Sequence, residues 1–293
     1  MKQGRTIRLG TRKSRLAMVQ TELCAAALKA AEPGLEVEIV PIVTTGDRIQ
    51  GKALTEFGGK GVFITEFEEA VLGGTIDAAV HSAKDMPTEL EKGLEIAAVL
   101  EREDPRDVLV SVKGRTLPKG RKVVGTGSLR RQCQLGERME AECRLLRGNV
   151  NTRLDKLYAG EYDAVVLAAA GLSRLGLLDD ERFDVTFFPE KEFIPSGGQG
   201  IIALEAKKGS SFAGLFEAVN HTPTMCRLLA ERRVLSLLGA GCSEALGVYS
   251  WEEKDTFFIR LMRQEKDGGI IRRQAEGKRE EWQRLAKELT AGL

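Results

Sequence analysis

Two short stretches of the chain carry residue types suited to covalent chemistry. Cys242 stands in Leu238-Gly239-Ala240-Gly241-Cys242-Ser243-Glu244, a lone thiol among small residues. Far upstream, Val80-His81-Ser82-Ala83-Lys84-Asp85-Met86-Pro87 ends a strand pattern with a carboxylate, and Pro87 holds the residue before it extended. A thiolate is a nucleophile, and here it could anchor a group that no ordinary binding motif in the chain explains. A carboxylate is ionised at neutral pH, accepts N–H bonds and stabilises a developing cation. Each residue also has a plainer reading. A lone cysteine is more often a small buried hydrophobe, and an aspartate at a strand end is more often a cap or turn residue. His81 is more often structural, and Lys84 either binds an anion or pairs with Asp85.

Between these stretches run strand-to-helix turns rich in arginine and hydroxyl residues. They are Gly125-Thr126-Gly127-Ser128-Leu129-Arg130-Arg131, Arg147-Gly148-Asn149-Val150-Asn151-Thr152-Arg153 and Thr11-Arg12-Lys13-Ser14. The first opens like a dinucleotide fingerprint, but Arg130 replaces the third glycine and Arg147 stands where an acid is expected, which argues against a nicotinamide site. What remains is an anion site. Such turns share one edge of an open α/β sheet, where ligands bind, and helix N-termini add backbone N–H groups. Arginine recognises carboxylates through planar, bidentate contacts. Each charge-assisted bond contributes ~1.5–3 kcal/mol, so several suit a ligand with many carboxylates. Phosphate stays open on this logic, and a solvated basic helix start is the plainer reading of any single turn. Gly58-Gly59-Lys60-Gly61 is not a P-loop, because Leu54 and Gly61 occupy positions that need Gly and Ser or Thr. It reads as a surface loop compatible with a lid.

The elements that must position these residues follow an α/β alternation. Thr6–Leu9 reads as a strand. Ser14 caps a helix whose apolar residues Leu16, Val19, Leu23, Ala26, Ala27 and Ala30 follow helical spacing. A strand over 37–43, a helix through Phe67 and Val71 and a strand over 76–80 come next. Pro105, in the charged run 101–107, marks a crossing to a second α/β unit. That unit has strands at 122–125, 144–146 and 164–167 and helices at 128–138 and 150–159. The Gly- and Pro-rich run 193–200 marks the way back. After about residue 219 a helix over 222–238 precedes strands at 246–250, 256–263 and 269–275. Gly268-Gly269 forms a hairpin turn, and a last helix carries Trp282, Leu285, Ala286 and Leu289 on one face. The expected division is 1–100 with 194–218, then 101–193, then 219–293.

Composition narrows the function classes. The 293 residues carry 44 basic and 43 acidic side chains, for a net charge of +1, so no whole-protein basic field for nucleic acid exists. No apolar run approaches the ~18 residues of a membrane helix, and no apolar stretch follows the N-terminal charges; a cytoplasmic location is expected. Five cysteines without a CxxC pair argue against a disulfide framework or a zinc ribbon. Two histidines exclude a histidine-rich metal site, and no metal is expected.

Taken together, the motifs resemble the porphobilinogen deaminase (hydroxymethylbilane synthase) family nearly end to end. The resemblance rests on TRKSRLAMVQ, GGKGVF, VHSAKDMPTE, EREDPRD, GTGSLRRQCQL, LRGNVNTRL, EYDAVVLAAAGLSRLGL, GGQG and GAGC. It implies two binding-protein-like α/β lobes with an active cleft, plus a small α+β C-terminal domain. It implies a monomer and a dipyrromethane cofactor held as a thioether at Cys242. It further implies a transferase that condenses four porphobilinogen molecules head to tail in heme biosynthesis and releases hydroxymethylbilane by hydrolysis. Asp85 matches the catalytic aspartate. Lys84, Asp85, Thr126, Ser128, Arg130, Arg131, Arg147 and Gly148 match cofactor-binding positions. Arg12, Ser14, Ser82, Arg153, Arg174 and Gln199 match substrate-binding positions, and Gly58, Gly59, Lys60, Gly61 and Phe63 match a lid. The chain departs from the family pattern at Glu244-Ala245-Leu246-Gly247 after the cysteine, at Glu56, where lysine is frequent, and at Gly127, where serine is common. The competing class is a non-catalytic bilobed polycarboxylate-binding protein, which would leave Cys242 and the third domain without a role.

Overall fold

The computed structural model describes residues 5–44, 64–239 and 244–293. The chain divides into two compact units, Met1–Arg102 with Ile201–Leu229, and Glu103–Gly200 with Ala230–Leu293. The first is built on a five-stranded sheet. Its strands are β1 (Thr6–Thr11), β2 (Glu36–Pro41), β3 (Ala78–Ser82), β4 (Leu94–Val99) and β10 (Ile202–Lys207), in the order β2-β1-β3-β10-β4. β1 runs parallel to β2 and β3, whereas β10 is antiparallel to both its neighbours. Side chains alternate between the two faces of a strand, and both faces here are covered. Ala78 and Val80 join Ile7, Leu9, Leu28 and Phe216 in one cluster. Ala79, between them, packs with Phe67 and Val71 of α2 (Thr65–Leu72) in another.

The helix α1 (Arg15–Ala31) forms where its cap predicts, but not on the face expected from apolar spacing. Thr21, Cys24, Ala25 and Leu28 are buried, while Leu23 is 44 % exposed. Small and apolar residues occur around most of this helix, so spacing alone does not choose its buried stripe. The sheet chooses it: Cys24, Ala25 and Leu28 pack on Ile7, Leu9 and Val80.

The second unit repeats the topology. β5 (Asp107–Val112), β6 (Lys122–Gly125), β7 (Ala141–Arg144), β8 (Ala164–Ala168) and β9 (Phe183–Phe187) lie in the order β7-β6-β8-β5-β9. Here β5 is the one reversed strand. In each sheet the reversed strand begins just after the chain crosses from the other unit. The helices α3 (Leu129–Gly136), α4 (Val150–Tyr158) and α5 (Ala169–Arg174) each follow a parallel strand. β7 lies earlier than the 144–146 expected from the Leu145-Leu146 pair. Its pairing with β6 ends at Gly125 opposite Arg144. Leu146 then turns into the core while Leu145 stays exposed. Gly125 leaves no room for a larger residue at this point, because a Cβ would lie 2.9 Å from Tyr162 and 3.0 Å from Val165.

After α6 (Ala213–Val219) and α7 (Thr222–Leu237) comes an antiparallel meander of β11 (Leu246–Glu253), β12 (Thr256–Gln264) and β13 (Ile270–Gly277). The expected hairpin turn forms, with Gly268 at φ +89°. α8 (Trp282–Thr290) buries Leu285, Ala286 and Leu289. β11 docks on the segment after β9: Val248 N–H donates to the Pro195 carbonyl at 2.9 Å. The mixed α/β class expected from the sequence, with a small C-terminal α+β part, is what the chain forms. Among the described residues no helix is long and apolar enough to cross a membrane.

Candidate functional site

In the first unit the parallel strands point their C-terminal ends at the candidate residues. β3 runs into a 3₁₀ turn, Ala83–Asp85. The turn is anchored because Ala83 N–H donates to the Ile201 carbonyl at 2.9 Å, and Ala83 and Met86 are buried with Ile64, Val99 and Leu228. Met86 is extended at ψ 144°, as Pro87 requires. Asp85 projects from this fixed turn, exposed, and makes no hydrogen bond or ion pair among the described residues. Lys84 is half-buried. Ser82 exchanges hydrogen bonds with the Gln20 amide at 2.9 and 3.2 Å. Ser14 caps α1, accepting from Ala17 N–H at 3.3 Å, and Arg12 beside it is half-buried. His81 is buried, with Nε2 2.9 Å from Glu205 Oε2 and its ring edge-on to Phe67. Glu205 Oε1 has no hydrogen-bond partner among the described residues.

The second unit gathers the other candidates at the equivalent ends of β6, β7 and β8. Thr126 Oγ1 accepts from Ser128 N–H at 3.2 Å, and Ser128 caps α3. Asn149 caps α4, accepting from Thr152 N–H at 2.9 Å. Gly148 sits at φ +112°, where a Cβ would lie 2.8 Å from Thr152 Cγ2, so only glycine fits. Arg153 Nε donates to the Gly148 carbonyl at 2.8 Å, and Arg174 Nη2 to the Gly200 carbonyl at 2.6 Å. Arg147 is half-buried and has no side-chain partner among the described residues.

Arg130 and Arg131 differ from the rest. Both are buried, so the reading as a solvated basic helix start does not hold for them. Arg130 Nη1 donates to Asp107 Oδ2 at 2.7 Å and to the Ile194 carbonyl at 2.8 Å. Arg131 donates to Asp107 Oδ1 through Nε and Nη2, at 3.1 and 2.7 Å, and through Nη1 to the Val166 carbonyl at 2.8 Å. Gln199 Nε2 donates to the same Oδ1 at 3.1 Å and to the Pro105 carbonyl at 2.7 Å. Asp107, fully buried, is thus the hub of three candidate residues. Burial pushes the Arg130 guanidinium below its ordinary proton affinity, against the pull of Asp107. Sequence reasoning did not single out Asp107; its only signal was a place in the charged run before β5. A second buried carboxylate was also missed. Glu231 accepts from Gly198 N–H at 2.6 Å, Ser250 N–H at 2.9 Å and Ser250 Oγ at 2.8 Å, which ties the Gly-rich segment to α7 and β11. Cys242, Glu56, Gly58, Gly59, Lys60, Gly61 and Phe63 lie outside the described residues.

These features define an α/β protein whose parallel-strand ends collect guanidinium, hydroxyl and backbone N–H groups suited to a ligand with several carboxylates. An arginine without a side-chain partner among the described residues, a glycine turn that admits no side chain and two buried arginines sharing one carboxylate all fit such a ligand. The chain belongs to the porphobilinogen deaminase family: residues 7–213 match the family model described as porphobilinogen deaminase, dipyromethane cofactor binding domain. That membership places it in tetrapyrrole biosynthesis as a porphobilinogen deaminase-type transferase, with dipyrromethane as cofactor and porphobilinogen as the substrate the family implies. Among solved structures, the chain is similar to the BenM effector binding domain with its effector benzoate (13 % identity, 80 % of this chain and 94 % of that one, TM-score 0.45). It is also similar to the Bordetella pertussis BvgS periplasmic VFT2 domain (12 %, 80 % and 92 %, 0.43). A third is the amino acid ABC transporter substrate-binding protein AbpA from Streptococcus pneumoniae bound to L-arginine (16 %, 79 % and 92 %, 0.37).

Proposed function

We propose that the chain deaminates porphobilinogen, condenses four molecules head to tail and releases hydroxymethylbilane by hydrolysis. The observation that carries this reading is Asp85: an exposed carboxylate with no hydrogen bond or ion pair among the described residues, held on a turn whose neighbours are buried. Loss of ammonia from the aminomethyl arm of porphobilinogen leaves an electron-poor methylene-pyrrolenine. A pyrrole α-carbon attacks it, forming the new C–C bond, and the α-proton leaves. Positive charge develops on the reacting rings, and each ring carries an N–H. Asp85 accepts that N–H bond and stabilises the cation. A rigid turn suits this role, because orientation fixed in advance costs nothing at the moment of reaction.

Dipyrromethane, when bound, supplies the primer pyrrole, and Cys242 is its thioether anchor by family resemblance. Each added ring brings an acetate and a propionate, so negative charge grows with chain length. Lys84, Thr126, Ser128, Arg130, Arg131, Arg147 and Gly148 hold the primer's carboxylates. Arg12, Ser14, Ser82, Arg153, Arg174 and Gln199 hold those of the incoming units. The experiment offers porphobilinogen to the purified chain and follows ammonia and linear tetrapyrrole. Release of both supports the reading. Binding of porphobilinogen without either product would favour the non-catalytic polycarboxylate-binding protein instead.

A further inference from the structure

The charges around Asp107 do not balance. Two guanidiniums face one carboxylate, and no second carboxylate pairs with either arginine among the described residues. A buried ion pair needs excellent geometry and full hydrogen bonding to offset desolvation, and one surplus positive charge in such a place is costly. The bonds are also distributed unequally. Arg131 uses Nε, Nη1 and Nη2 on protein acceptors. Arg130 uses only Nη1, leaving Nε and Nη2 without a hydrogen-bond partner among the described residues. Those two N–H groups lie along one edge of the guanidinium, the edge that takes a carboxylate through two parallel bonds. Arg130 cannot turn away, because its Nη1 is pinned by Asp107 and by the Ile194 carbonyl. Ile194 is fixed in turn by Gln134, whose Oε1 accepts from Ile194 N–H at 2.7 Å.

We propose that Asp107 is a positioning residue: it orients Arg130, Arg131 and Gln199 before any ligand arrives, and so presents the Nε/Nη2 edge of Arg130 to the carboxylate that the function proposed above already assigns to that arginine. The proposal rests on the function proposed above, since the carboxylate belongs to the pyrrole chain. Asp107 does not touch that ligand. It acts through the arginines, so its loss lowers loading by more than an equal loss of stability elsewhere in the fold does.

The test is Asp107→Asn, which keeps shape but removes the charge that orients both arginines. Wild type, Asp107→Asn and a core control in the other unit, Leu204→Ala, are offered limiting porphobilinogen. Intact mass then gives the loaded fraction, and melting temperature is measured in parallel. The expected result is at least a tenfold lower loaded fraction in Asp107→Asn, while Leu204→Ala, at equal or greater loss of melting temperature, loads as wild type does. Equal loading of Asp107→Asn and wild type overturns the positioning role and leaves the function standing. No loading in wild type overturns both. If Asp107→Asn does not fold, a crystal structure of loaded wild type decides. Asp107 still bonded to both arginines, with a carboxylate on Arg130 Nε and Nη2, supports the proposal. Either arginine released from Asp107 to reach the ligand overturns it.

Discussion

Arg147→Ala and Arg131→Ala separate an arginine that serves the ligand from one that also serves the fold. Arg147 has no side-chain partner among the described residues and is half-buried. Its removal breaks no protein bond, so the stability change stays within about 0.5 kcal/mol. If it holds a ligand carboxylate, it contributes one charge-assisted contact of ~1.5–3 kcal/mol, which is a loss of about 10- to 150-fold in affinity. Arg131 makes three bonds to Asp107 and Val166. Removing one partner of a buried ion pair costs ~3–5 kcal/mol. At about 2–4 °C per kcal/mol, that lowers the melting temperature by on the order of 10 °C. The assay is thermal unfolding beside KM for porphobilinogen. Arg147→Ala should melt with wild type and show a raised KM or incomplete chains. Arg131→Ala should show both defects. A large melting shift in Arg147→Ala, or unchanged kinetics in it, would refute the division.

Three further outcomes follow from particular contacts. Asp85→Asn should melt as wild type does, because no bond among the described residues is lost, yet form no tetrapyrrole; near-normal turnover would remove Asp85 from the reaction. Gly247→Ala places a Cβ 2.8 Å from the Ile194 carbonyl oxygen and 3.0 Å from that of Pro195. Both are backbone atoms, so overpacking should cost ~1–3 kcal/mol, read by denaturant unfolding; an unchanged midpoint would show that β11 docks differently. The hydrogen bond from Arg272 holds the Glu137 carboxyl below its ordinary value of 4.5. A depressed carboxyl adds stability that is present above 4.5 and lost as pH falls through the lowered folded value. Glu137→Gln should therefore flatten acid unfolding slightly, by less than ~1 kcal/mol, because both side chains are exposed enough for solvent to screen the pair. A loss of stability confined to low pH would contradict that sign.

Legibility in the sequence followed the range of the interactions. Local signals were readable: the Ser14 cap, the β6-to-α3 turn, the Gly268-Gly269 hairpin and the stripe of Leu285, Ala286 and Leu289. The reversed strands β5 and β10, and the edge strands β4 and β9, escaped assignment. β10 is buried at all but its last residue and so gives no alternation, and the place of all four depends on a chain that leaves one sheet and returns. The face of α1 escaped for a related reason, since several stripes were apolar enough and the sheet selected one. In the site, residues could be named from motifs, but not how they are bound. Nothing local distinguishes Arg147, without a side-chain partner among the described residues, from Arg130 and Arg131, committed to Asp107 across 23 and 24 residues of chain. The same holds for Glu231, whose partners come from a loop and a strand on either side of α7.

The most direct test of the central claim is the intact mass of the chain after exposure to porphobilinogen. Wild type should gain the mass of two deaminated porphobilinogen units and keep it through turnover, and Cys242→Ala should not. A bare wild-type mass, or the same adduct on Cys242→Ala, would contradict the account.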